Sequence, residues 1–261
     1  MRRLSEIAPA VLVATSERYV TTTTVVTGNA GGCLVIDPAL TVPQVAALAA
    51  ELAAARLAPQ AGFATHPHWD HVLWCTGLGD VPRYAAPGAA AAAIAGRDEL
   101  ISEMRASAPG HDLELFGRLT ALAPGDEAIR WDGPQARVIT HDGHAPGHSA
   151  LFLPDTGTLI AGDMLSDIEI PLLDLAGRDP LGDYRAGLDR LAALPGVRQI
   201  IPGHGTVGDA AEFRRRVTAD VAYLDRLARG EDTGDPRLSL EWLRREHQRH
   251  LAHVRAGRAA R

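Results

Sequence analysis

Apolar residues recur along this chain with two periods. Short β-branched runs at residues 11–14, 19–27 and 33–36 predict strands, and Gly28-Asn29-Ala30-Gly31-Gly32 predicts a hairpin turn between the last two. Asp37-Pro38 ends the third run. Residues 42–57, rich in alanine and leucine, predict a helix closed by Pro59. Residues 62–65 form a short apolar strand that runs straight into a histidine-rich segment. A strand at 84–85, a helix over 87–107 with Asp98, Glu99 and Glu103 on its exposed side, and a helix or loop over 111–122 follow. The second half repeats the theme, with strands at 128–131, 136–141, 150–153 and 158–161 punctuated by glycines. A helix at 180–194, a strand at 197–201 and helices at 209–228 and 239–255 complete it. Two β-rich halves with helices outside predict a layered α/β sandwich. The polar, breaker-rich stretch 230–236 divides a main domain, 1–229, from a linker and C-terminal helical tail, 230–261, expected to pack on or beside it.

Composition narrows the function classes. The chain has 261 residues and a net charge of −6, and all 26 basic residues are arginine. Without lysine there is no Schiff base and no P-loop lysine. The acidic balance argues against a nucleic-acid partner, and the arginine-rich tail from Arg237 reads as a solvated helix face. No run of about 18 apolar residues predicts a membrane span. Glu6 and Pro9 interrupt the basic start before it resembles an export signal, so a cytoplasmic location is expected. Cys33 and Cys75 sit among apolar neighbours and read as buried free thiols.

The chemistry concentrates in Thr65-His66-Pro67-His68-Trp69-Asp70-His71. Residues two apart on a strand share a side, so His66 and His68 can converge on one ion, and Asp70 and His71, past the turn, can face a second. Imidazole with carboxylate suits zinc, and also iron, manganese or cobalt. This His-x-His-x-Asp-His signature resembles the metallo-β-lactamase superfamily, and later segments match that family's further motifs in order. His144-Ala145-Pro146-Gly147-His148-Ser149 is similar to its Pro-Gly-His-Ser/Thr loop, Leu159-Ile160-Ala161-Gly162-Asp163 to its Gly-Asp strand end, and Ile201-Pro202-Gly203-His204-Gly205 to its last histidine motif. Val35-Ile36-Asp37-Pro38 resembles the turn that buttresses the site.

The resemblance implies a four-layer αβ/βα sandwich with two mixed sheets. It implies one metal held by His66, His68 and His148, another by Asp70, His71 and His204, and Asp163 bridging, with Asp70 also the candidate catalytic group. Two Zn2+ ions per chain are expected, with Fe or Mn as alternatives, and a bridging hydroxide as nucleophile toward a small-molecule substrate; a homodimer is left open. Among the other histidines, His144 and His141 read as loop residues bonded to backbone and His111 as a surface residue. His247, His250 and His253 read as a polar helix face. Trp69 and Trp74 could line a pocket and Tyr184 and Asp174 could reach it from the segment after Asp163, but the tryptophans read as core and the other two as core or surface.

Within the superfamily, an aspartate at 163 and the absence of lysine argue against a true β-lactamase. Glyoxalase II resembles the first 205 residues, and homoserine-lactone lactonases share all seven ligands. Hydrolysis of a small ester, lactone or thioester is therefore the expectation. Its rivals are β-lactamase-like amide hydrolysis, a mononuclear iron dioxygenase of the persulfide type built on His66, His148 and Asp163, and a metal-stabilised binding protein.

Overall fold

The computed structural model describes residues 3–38 and 40–259. Met1 and Arg2 of the basic start, and Ala260 and Arg261 of the arginine-rich tail, lie outside them. Strands β1 (Ser5–Ala8), β2 (Val11–Thr15), β3 (Thr22–Thr27) and β4 (Gly32–Ile36) form an antiparallel meander. Helix α1 (Val42–Ala54) then crosses to β5 (Ala58–Phe63), which pairs parallel with β4; β6 (Arg83–Ala85) adds to β5. Helices α2 (Pro87–Ala95) and α3 (Arg97–Ser107) lead to β7 (Thr120–Ala121), which closes a seven-stranded mixed sheet. The second sheet has five strands: β8 (Arg137–His141), β9 (His148–Leu153), β10 (Thr158–Ile160), then, past α4 (Pro180–Ala192), β11 (Gln199–Ile201) and β12 (Gly208–Asp209). Helices α5 (Ala210–Ala228) and α6 (Glu241–Ala259) end the chain's described part.

The period of two along each strand builds the layers. In β4, Leu34 and Ile36 face the second sheet and meet Leu151, Leu153, Ile160 and Ile201. Cys33 and Val35 point the other way, against Val45, Leu48 and Leu52 of α1. In β9, Leu151 and Leu153 face the sandwich interior while Ala150 and Phe152 pack beneath α4, α5 and α6. Four layers result, helix–sheet–sheet–helix, each sheet buried on both faces.

Several elements differ from the sequence pattern for identifiable reasons. The 87–107 helix is two helices because the chain breaks at Gly96, which caps α2 and begins α3. Pro59 lies inside β5 rather than merely stopping α1. Of the strand expected at 128–131 only a bridge from Ala128 to Arg137 forms. The strand expected from Tyr19 begins at Thr22, because Tyr19 and Val20 adopt left-handed backbone, φ 59° and 51°. That conformation is costly for a β-branched residue. The segment it displaces is tied to the last histidine motif, with the Gly205 N–H donating to Val20 O at 3.0 Å. Helix α6 keeps its arginines exposed, but Leu243, His247, His250 and Leu251 are buried, and its two leucines join the core beneath the second sheet.

Candidate metal centre

All the site residues sit at one end of the two sheets, in loops that leave or enter strands. β5 delivers Thr65–His71, the β8–β9 loop delivers His144, β10 runs out into Gly162-Asp163, and β11 into Gly203-His204. Their donor atoms form two groups. In the first, His66 Nε2 and His144 Nε2 each lie 3.1 Å from His68 Nδ1, and Asp163 Oδ2 lies 3.5 Å from His66 and 3.6 Å from His144. In the second, His204 Nε2 lies 3.4 Å from His71 Nε2 and 3.2 Å from Asp70 Oδ2. Asp163 joins the groups, with Oδ1 3.3 Å from His71 Nε2 and Oδ2 3.4 Å from His204 Nε2.

The arrangement brings together six of the seven residues expected from the sequence, and His144 takes the place expected for His148. The reason is strand register. His148 lies inside β9, on the same face as Ala150 and Phe152, paired across the ladder with His141. Its Nε2 accepts the Asp163 N–H at 3.1 Å and its Nδ1 faces His141 Nε2 at 3.3 Å, so both nitrogens are taken. His148 thereby supports the backbone of Asp163 from behind. His144 sits outside the ladder, on a loop closed by the Gly147 N–H donating to Asp142 Oδ1, and reaches inward. The expectation that His144 bonds to backbone also holds for its other nitrogen, since Nδ1 donates to Leu172 O at 2.9 Å.

That second contact belongs to a pattern. His71 Nδ1 donates to Asp37 Oδ2 at 3.0 Å, and His204 Nδ1 to Tyr19 O at 2.9 Å. Thr65 Oγ1 donates to Asp37 Oδ2 at 2.7 Å and can therefore accept from His66 Nδ1 at 3.0 Å. In each case an outer acceptor fixes the tautomer and turns a bare Nε2 lone pair toward the centre, as partners behind metal-binding histidines do. Asp37 itself adopts left-handed backbone, φ 48°, to place both its oxygens. Neither Thr65 nor the Tyr19 carbonyl is visible as a site residue in the sequence, since the first acts through a neighbour and the second is backbone.

Electrostatics separate the two groups. Burial drives the imidazoles of His66, His68 and His144 below their ordinary range, His144 to about 3, so they stay neutral. Burial also penalises charge on His71 and His204, but facing carboxylates outweigh it and hold both well above the imidazole range. Asp70 and Asp163, raised by burial, are pulled well below the carboxylate range by those same histidines. The second group is thus built around the negative charge of Asp70 and Asp163, which favours any positive charge among its donors, a proton on His71 and His204 or a cation in its place.

Three observations test whether divalent cations fit. Asp163 Oδ1 is buried with no hydrogen-bond partner, an uncommon condition for a buried carboxylate. Lone-pair nitrogens face one another at 3.1 Å across the first group, an arrangement that a shared cation resolves. The space is also kept open: a Cβ at Gly203 would stand 2.0 Å from Asp163 Oδ1. Two three- or four-donor groups of nitrogen and carboxylate oxygen suit zinc, iron or manganese. Beside His68 and His144 lies a cavity of about 730 Å³, bounded by α3, the 172–176 loop and α6.

An αββα sandwich with paired His/Asp groups at its sheet ends defines a class of metal-binding proteins. Residues 17–204 match the family model described as the Metallo-beta-lactamase superfamily, and the chain belongs to that superfamily. It is 32% identical over 140 residues to a hydroxyacylglutathione hydrolase of Rhodobacter capsulatus, covering 54% of this chain and 46% of that protein. The chain spans about half the length of the curated relatives it matches. Among solved structures it is similar to TTHA1623 in a di-iron-bound form, at 28% identity and TM-score 0.61, covering 78% of this chain and 97% of that one. A beta-lactamase domain protein from Burkholderia ambifaria shares the fold at TM-score 0.70 and 18% identity, covering 98% of this chain and 89% of that one. Among the described residues no helix is long and apolar enough to cross a membrane.

Proposed function

We propose that this chain is a metal-dependent hydrolase that holds two divalent ions and cleaves a small ester, lactone or thioester, with thioesters foremost. The observation that carries the reading is the pair of donor groups joined by Asp163 beside a cavity large enough for a small molecule. In this reading His66, His68 and His144 hold the first ion, Asp70, His71 and His204 the second, and Asp163 reaches both. The relatives named hydroxyacylglutathione hydrolase support a thioester. Bound divalent ions supply a lowered pKa for water and a polarised carbonyl. The protein supplies the rest. Outer acceptors lock the imidazoles in place before substrate arrives, which removes reorganisation from the reaction. Asp70, the candidate catalytic group, has the most exposed side chain of the second group, at 11%, and its carboxylate stays ionised, so it would accept a hydrogen bond from a water entering the site.

Metal analysis of protein purified without added metal, followed by a screen of thioesters, lactones and β-lactams, tests the proposal. About two ions per chain and turnover of thioester or lactone support it. A reproducible single iron with oxygen consumption would replace it with the mononuclear dioxygenase, and the intact second group argues against that outcome.

A further inference from the structure

The cavity beside His68 and His144 has an unusual lining. Its apolar surface comes from Leu100 of α3, Leu172 and Leu175 of the loop, and Trp242 of α6. Its charged surface is four carboxylates, Glu99, Glu103, Asp174 and Glu246, against one guanidinium, Arg249. Arg249 is committed to Glu246 at 2.9 Å. Among the described residues, Glu99, Glu103 and Asp174 take part in no ion pair. Burial, with Glu99 and Asp70 nearby, raises the Glu103 carboxyl, as expected where like charges meet without a cation between them. Of the lining histidines outside the donor groups, His250 adds no positive charge, since burial lowers it to about 4. Trp242, 38% exposed, offers an aromatic surface to this acidic wall.

Resting on the hydrolase reading above, we propose that this cavity selects acyl substrates that carry a cationic group, a substituted ammonium, away from the scissile carbonyl, and rejects those that carry a carboxylate there. The carbonyl end meets the metal centre. The remainder lies among uncompensated carboxylates and an indole, surfaces that attract ammonium groups electrostatically and through the ring face. A glutathione thioester, with two carboxylates against one ammonium, brings net negative charge into the same space. This chain therefore departs in substrate charge from the relatives named for that substrate.

Three acetyl thioesters of matched size decide the matter, their thiols ending in trimethylammonium, tert-butyl or carboxylate. With metal-loaded protein, kcat/KM should be roughly tenfold or more higher for the ammonium ester than for the carboxylate, the effect of one or two partly screened charges. The ratio should shrink when salt is raised to roughly 0.5 M, and shrink again in the Glu99→Gln/Glu103→Gln variant. A carboxylate ester cleaved as fast as the ammonium ester, or a ratio indifferent to salt and to the double substitution, overturns the proposal. The corresponding non-hydrolysable thioethers, titrated by calorimetry, keep it separate from the hydrolase reading. If no thioester is cleaved, that reading fails for thioesters, while tighter binding of the ammonium thioether still upholds the charge preference and equal or weaker binding refutes it.

Discussion

The two halves of the chain build the metal centre in different ways. The first half places His66, His68, Asp70 and His71 in one loop behind β5, where a single turn sets their geometry. The second half brings His144, Asp163 and His204 from three separate strand ends, so each depends on the register of the second sheet. A compact loop is robust because its donors move together. A dispersed set is adjustable because each donor is held by its own partner: Leu172 O, the His148 ring and Tyr19 O.

Substitutions can break or sharpen this contrast. The largest effect is expected for His144→Ala, which should cost about one ion per chain and lower turnover by on the order of 10³-fold, as loss of several kcal/mol of metal-assisted stabilisation implies. Elemental analysis and initial rates on one thioester check it, and full metal content with wild-type turnover would return the ligand role to His148. Asp163→Cys should lower activity by roughly 10²–10³-fold and weaken the second ion, because a soft thiolate prefers one zinc over bridging two. Asp37→Asn should be milder, about 10–100-fold in metal affinity or activity, the usual cost of removing a partner behind a ligand. Competitive chelation against the wild-type protein measures it.

A smaller effect sharpens the comparison from the other side. His148→Asn should retain two ions and lose less than about tenfold in rate, since it removes a support and not a donor. A last effect lies away from the centre and is read in stability rather than in rate. His250 accepts the Leu173 N–H and can donate to the Tyr223 hydroxyl, and burial lowers it to about 4. Its folded value is below the unfolded one, so its contribution is present above about pH 6.5 and is lost as pH falls toward 4. The loss should be at most about 3 kcal/mol, and His250→Gln should flatten that part of the denaturation midpoint against pH. A pH profile identical in both proteins would remove His250 from the account.

The same contrast explains what was legible beforehand. The layered sandwich, both β-rich halves and the histidine loop follow from local pattern, because strand period and a six-residue cluster need no knowledge of distant pairing. Four of the proposed donors, His66, His68, Asp70 and His71, were readable on that basis, and Asp163 and His204 only through the resemblance of their motifs. The seventh was displaced by four residues, because choosing between His144 and His148 requires knowing which lies in the ladder. One signal was available: a period of two carried back from Phe152 and Ala150 places His148 on the helix side. The burial of His111, His247 and His250 was not legible, since each is held by a contact from far along the chain, to Leu40 O, Tyr223 and Leu173. Asp174, read as core or surface, lies on the cavity wall for the same reason.

Helix α6 provides Trp242, Glu246, Arg249 and His250 to the cavity while contributing none of the metal donors. The proposed donors therefore all lie outside α6, which shares the cavity wall with α3 and the 172–176 loop. Residues 241–259 can diversify through substitution of their exposed positions, provided Leu243 and Leu251 stay apolar and His250 keeps its bond to Leu173, beside the Leu172 carbonyl that holds His144.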